Sequence, residues 1–97
     1  MNKANLVDII SEGTGLTKLE TGTVIDAFLA TVSYALASGE RVELRRFGTF
    51  SIKNRKAKIG RNPKTGVVVP IPARKMPHFK PSPELRKYVE EKQGGED

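Results

Sequence analysis

The 97-residue chain has no cysteine and only one histidine. Without cysteine there is no disulfide to staple a small fold and no thiolate for nucleophilic or metal chemistry, and a reducing compartment fits. The acids are scattered and His78 stands alone in a segment broken by proline. Neither a cluster of metal ligands nor a nucleophile paired with a base can be assembled from them. The glycine patterns that cradle phosphates and dinucleotides are also missing. Catalysis, a metal, a cofactor and a small-molecule substrate are therefore not expected, and His78 reads as a surface or half-buried strand residue. No apolar run approaches the ~20 residues that span a bilayer. Residues 1–6 lack the apolar stretch of a signal peptide. The expectation is a cytoplasmic protein with no membrane association.

Acid is scarce in one place only. Residues 41–81 carry a net charge of +11 with Glu43 as their single acid, while residues 1–40 carry −3 and residues 82–97 carry −2. Charge of one sign concentrated in one segment creates a local field that attracts polyanions, so nucleic acid is the expected partner. The length allows one domain, residues 1–97. A monomer this short buries a modest core, and any protruding part shrinks it further, which favours oligomerisation.

Residues 3–13 form the first expected helix, with Asn2 as N-cap and Leu6, Ile9 and Ile10 on one face, ended by Gly13 and Gly15. Thr17 and Glu20 make a capping box for a longer helix whose apolar stripe is Ile25, Phe28, Leu29, Val32 and Leu36. Gly39 is its natural stop. Two such helices make a hairpin whose stripes read as core. The pattern then changes to period two. Residues 41–45 alternate as a half-buried strand, and residues 47–52 continue after a tight turn or bulge near Gly48, with Phe50 and Ile52 sharing a face.

Residues 53–75 have no acid and no aromatic, and contain three prolines and two glycines. Runs at 55–59 and 67–71 flank Gly60-Arg61-Asn62-Pro63-Lys64-Thr65-Gly66, which is turn chemistry. The expectation is a long β-ribbon arm with a basic tip, with Pro70 and Pro72 on its edges. A lone ribbon is marginally stable in water. Lysines and arginines along it can follow phosphates and release counterions, while the lack of aromatics argues against stacking on single strands. Pro63 at the tip is either a turn former or an apolar wedge for a base step. A last strand over 75–80, interrupted by Pro77, carries Phe79 inward. Ser82-Pro83-Glu84 starts a final helix with Leu85, Tyr88 and Val89 on its apolar face. Residues 93–97 read as a frayed tail.

Phe47-Gly48-Thr49-Phe50, the glycine-bounded tip string and Phe79-Lys80-Pro81 closely resemble the bacterial family of histone-like proteins that includes HU and integration host factor. The helical hairpin and final helix match as well, so the similarity covers nearly the whole chain. The resemblance implies an α+β fold: an N-terminal helical hairpin, a three-stranded antiparallel sheet with a protruding β-ribbon arm, and a short C-terminal helix, in an intertwined dimer. It implies an architectural protein of the bacterial nucleoid that clamps the minor groove of double-stranded DNA, then bends and compacts it. Pro63 falls where the family intercalates a proline, and Arg61 and Asn62 match tip residues of the minor groove. Lys53, Arg55, Lys56 and Lys58 fall on the ascending arm, and Lys64, Arg74 and Lys75 on the tip and descending arm. Lys3, Lys80 and Arg86 match flank-DNA contacts, and Phe47, Phe50 and Phe79 the dimer core.

Two features depart from or subdivide the family. The position before Phe47 is usually glycine and here is Arg46, whose large side chain must point to solvent or DNA. Glu43-Leu44-Arg45 is closer to integration host factor than to HU. There Arg45 reads a base edge or a phosphate, oriented by Glu43, or else forms a solvated ion pair. The functional alternatives are non-specific compaction, bending of selected sites, and docking of the arm on an acidic protein, with RNA as a further polyanion. A homodimer is the first expectation and a heterodimer with a paralogue the second.

Overall fold

The structure, a computed structural model, describes residues 1–94. Of the tail expected to fray, Gln93 is the last residue of a helix and Gly94 caps it; residues 95–97 lie outside the described residues. In chain order the elements are α1 (Lys3–Thr14), α2 (Lys18–Ala37), β1 (Val42–Leu44), β2 (Gly48–Arg55), β3 (Lys58–Arg61), β4 (Val68–Ile71), β5 (Arg74–Pro81) and α3 (Pro83–Gln93). They fall into two compact units, residues 1–35 and residues 36 onward.

In the first unit, Asn2 and Asn5 each accept the other's backbone amide at 2.9 Å. This capping box satisfies two of the amides a helix start leaves unpaired. Gly13 does not end α1; it is helical. Gly15, in the left-handed region at φ 79°, ends it by donating to the Ser11 carbonyl. The Thr17–Glu20 box forms as its spacing predicts, with both backbone amides donating across it at 2.9 and 3.0 Å. The backbone amide of Thr17, with its side chain second, holds the Glu20 carboxyl below its ordinary pKa. Lys3 meets Asp26 at 2.9 Å and Lys18 meets Asp8 at 3.3 Å between the helices. Both pairs are exposed and contribute little energy. Between the helices Gly22 sits so that a Cβ there would lie 3.9 Å from Val7, in ordinary contact.

The α2 stripe is in place, but one chain does not bury it. Phe28 is 46% and Leu29 51% exposed, and among the described residues no hydrophobic side chain is fully buried. Large apolar faces left in water are unfavourable by roughly 25 cal/mol per Å². A helical hairpin on its own has nothing further to set against them.

In the second unit, β1, β2 and β5 form an antiparallel sheet in that order, while β3 and β4 form a separate two-stranded ribbon. Directly opposite residues share a face. Val42, Phe50 and Phe79 are aligned across the three strands, with Ile52 opposite Pro77 on the same side. The Phe79 ring packs against Phe50 at 4.7 Å and Phe47 at 5.4 Å between centroids, both tilted. Such tilted pairs add to the burial energy of each ring.

The tight turn expected near Gly48 is present directly before it: Phe47 N–H donates to the Leu44 carbonyl at 2.9 Å, so the turn is centred on Arg45 and Arg46. Gly48 opens β2, and its role is close approach, because a Cβ there would lie 2.6 Å from the Phe79 ring and the Lys80 carbonyl. Two sequence expectations need correction here. Pro77 does not interrupt β5, which runs unbroken through it. The strand is at the sheet edge, where a missing N–H is tolerated. Finally, the arm is not one ribbon. β2 and β5 stay paired as far as Arg55 opposite Arg74, pairing lapses over 56–57 and 72–73, and β3 and β4 resume it from Lys58 opposite Ile71. Pro72 stands in that break, where it has no ladder bond to lose.

Candidate nucleic-acid interface

The sheet face opposite the phenylalanines is polar apart from Met76. Glu43, Thr49 and Lys80 align across it, followed by Ser51 with His78, Lys53 with Met76, and Arg55 with Arg74. A groove of 790 Å³ lies on this side, and Arg45, Arg46, Lys53 and Lys80 line it together with Arg41 and His78. Its acid, Glu43, is 3.3 Å from Arg41. The suggested pairing of Glu43 with Arg45 is therefore not present. Arg41, just before β1 and two residues from Glu43, takes the carboxylate. Among the described residues none of Arg45, Arg46, Lys53 and Lys80 is in an ion pair.

Where the ribbon breaks, Arg55, Lys56, Lys58 and Arg74 gather around a hollow of 180 Å³ with Ile71, Pro72 and Met76. The break turns cations from both strands toward one place, which an unbroken alternating ribbon would divide between two faces. Lys75 lies opposite Asn54, on the other face of the ribbon from Arg55 and Arg74.

Residues 61–67 form the tip. Asn62 N–H donates to the Val67 carbonyl at 2.9 Å, and Gly66 N–H to the Asn62 carbonyl at 2.8 Å. The Asn62 side-chain oxygen accepts from the amides of Lys64 at 2.9 Å and Thr65 at 3.4 Å. Gly66, at φ 71°, supplies the left-handed step. Asparagine thus organises the loop from within. Pro63, which has no N–H to place, sits exposed at its first corner, between Arg61 and Lys64.

Two of the candidates are not among the residues that line these hollows. Lys3 is engaged by Asp26 on the helical hairpin. Arg86 borders an apolar hollow with Pro81, Leu85 and Val89 on α3. Conversely, sequence reasoning passed over Arg41, Thr49, Ser51 and His78 as groove residues. Thr49, Ser51 and His78 share the strand parity of Lys53 and Lys80, so the period-two pattern carried the signal.

A cation-lined sheet face prolonged by a basic two-stranded ribbon of groove width is the architecture of a duplex-reading β-ribbon protein. The family model described as "Bacterial DNA-binding protein" matches residues 1–90. The chain is 44% identical over 90 residues to integration host factor subunit beta of Marinobacter nauticus, covering 92% of each chain. It is 43% identical over 89 residues to the DNA-binding protein HU of Staphylococcus aureus, covering 92% of this chain and 99% of that one. The solved Anabaena HU–DNA cocrystal structure superposes with a TM-score of 0.87 at 42% identity, covering 92% of this chain and 97% of that one. HU from Thermotoga maritima gives 0.65 at 28% identity, with 92% and 98% covered. The chain belongs to the bacterial DNA-binding protein family of HU and integration host factor, whose members are architectural DNA-binding proteins.

Proposed function

We propose that this chain is one half of an intertwined dimer that clamps duplex DNA between two arms and bends it from the minor groove. One observation carries the reading. Cations line the sheet groove, gather again where the ribbon breaks, and reach a tip that presents an exposed proline. Lys53, Arg55, Lys56, Lys58, Arg74 and Lys75 follow phosphates along the arm, and each contact releases counterions. Arg61, Asn62 and Lys64 enter the minor groove around Pro63, whose ring wedges into a base step. Unstacking the step costs a few kcal/mol, and the bent duplex offsets this by touching more protein. Lys80, Arg86 and Lys3 meet the flanking DNA; Lys3 leaves an exposed ion pair whose loss costs only about 0–1 kcal/mol.

The unburied helix stripe and the half-exposed Phe47 support assembly, with Phe47, Phe50 and Phe79 in the dimer core. A homodimer satisfies this, and a heterodimer with a paralogue is the alternative. The protein acts in the bacterial nucleoid without catalysing a reaction. Among the described residues no helix is long and apolar enough to cross a membrane. A second reading, bending of selected sites, is favoured by Arg45, which stands beside the groove with Glu43 drawn away to Arg41.

The test is the bend angle, read by energy transfer between duplex ends at one salt concentration. Pro63→Ala lowers the bend more than it lowers affinity for straight DNA, and it removes much of the preference for nicked or mismatched duplexes. An unchanged angle at saturation makes Pro63 a turn residue and assigns bending to the charged arms and body.

A further inference from the structure

Arg46 is, among the described residues, the one residue other than glycine with positive φ, at 70°. It occupies the third position of the turn that Phe47 closes onto Leu44, and Arg45 before it does not share the positive φ. That is the position where a type II turn calls for glycine, because an L side chain there crowds its own backbone. The turn has no freedom to relax. The Arg46 carbonyl accepts from Ser82 Oγ at 2.8 Å, and the Phe47 carbonyl accepts from Ser82 N–H at 2.9 Å. Ser82 Oγ in turn accepts the Leu85 amide at 3.0 Å, so the turn is bound to the cap of α3.

The Arg46 side chain incurs a second cost. It lines the groove shared by Arg45, Lys53 and Lys80, whose one acid is held by Arg41. Glycine would remove both the backbone strain and the like-charge repulsion, and the protein supplies the guanidinium with no anion to offset either. Strain of this kind persists at sites where something outside the fold uses it.

We infer that Arg46 is a phosphate-binding residue at the root of the arm, held there at the expense of backbone strain. The inference rests on the DNA-binding reading and adds to it a contact that costs the free protein stability. A DNA phosphate in the groove supplies the missing negative charge, and a guanidinium meets two phosphate oxygens at once. The contact carries no sequence information.

The experiment pairs thermal melting with duplex binding by fluorescence anisotropy over a salt series, on two unrelated sequences. Arg46→Gly melts several degrees higher than wild type. It binds both duplexes severalfold more weakly, with a salt slope reduced by ~0.9 for each phosphate left without its cation. Arg46→Lys keeps the charge at the same strained position; it retains most of the slope and gains no stability. Wild-type affinity and slope in Arg46→Gly would overturn the inference. So would a lower melting temperature for that variant, or a weakening confined to one sequence. A wild-type protein with no salt-dependent duplex affinity would instead overturn the DNA-binding reading beneath it.

Discussion

The two ribbons of this chain follow the same antiparallel rules and rest on different foundations. The β2–β5 ribbon is backed by three phenylalanine rings, flanked by β1 and tied through Ser82 to α3. The β3–β4 ribbon has only its own turn and a few aliphatic side chains, with Ile59 76% exposed. A two-stranded ribbon without a packed face is marginal in water. The first ribbon therefore belongs to the stability of the molecule. The second stands outside that packing. Truncations of apolar side chains on the two ribbons separate in the same way.

The largest expected effect comes from the body. Phe79→Ala removes the ring that both other phenylalanines touch and costs ~3–5 kcal/mol. It also makes folding strongly dependent on protein concentration, because assembly and stability are then linked. Sedimentation and melting at several concentrations measure both. The matching truncation on the tip ribbon, Val68→Ala, shifts stability by no more than ~0.5 kcal/mol. Equal losses at the two positions would break the comparison.

The next effect is on binding and leaves stability alone. Arg55→Ala, Lys56→Ala, Lys58→Ala and Arg61→Ala each leave the melting temperature near that of wild type. Each lowers the salt slope of duplex binding by ~0.9 per phosphate that the missing cation had neutralised. The weakening is the same on unrelated sequences, since phosphates are common to all of them. A substitution that weakens one sequence alone identifies a base reader.

The smallest effect tests a region that belongs to neither ribbon. The Thr17 amide holds the folded pKa of Glu20 below the ordinary value of 4.5. A carboxylate whose folded pKa is lowered contributes stability above its unfolded pKa, and that contribution is lost as pH falls through the folded value. The wild type therefore loses a small increment of stability below about pH 4.5, and Glu20→Gln lacks that part of the acid response. Melting curves of both proteins between neutral and acid pH read the difference, and parallel curves would show that the carboxylate charge adds nothing to the cap.

Much of this protein was legible in local chemistry. The Thr17–Glu20 box, the Ser82 cap and the tip turn each rest on side chains within a few residues of the amides they satisfy, so spacing alone located them. The period-two alternation likewise separated Phe50 and Ile52 from Lys53 on the opposite face. Most of the misread places are those where a distant residue decides, while the Glu43 partner was missed at close range. Gly48 sits beside the expected turn, yet it is required by the Phe79 ring that arrives from β5. Pro77 looked like a strand breaker, and the sheet order leaves it at an edge. Glu43 looked like a partner for Arg45, and its carboxylate turns to Arg41 instead.

The sequence by itself determined the helix caps, the turn chemistry of the tip, the placement of positive charge and the family to which the chain belongs. All of these depend on residue type at short separation, where backbone geometry allows few arrangements. Only the tertiary structure decided that the arm breaks at residues 56–57 and 72–73, gathering cations from two strands, and that Arg46 carries left-handed backbone under the hold of Ser82. Those outcomes depend on which strands pair, how far the pairing runs and what meets the turn from 36 residues away. Such long-range contacts are chosen by the packing of the whole fold, which no local pattern of side chains encodes.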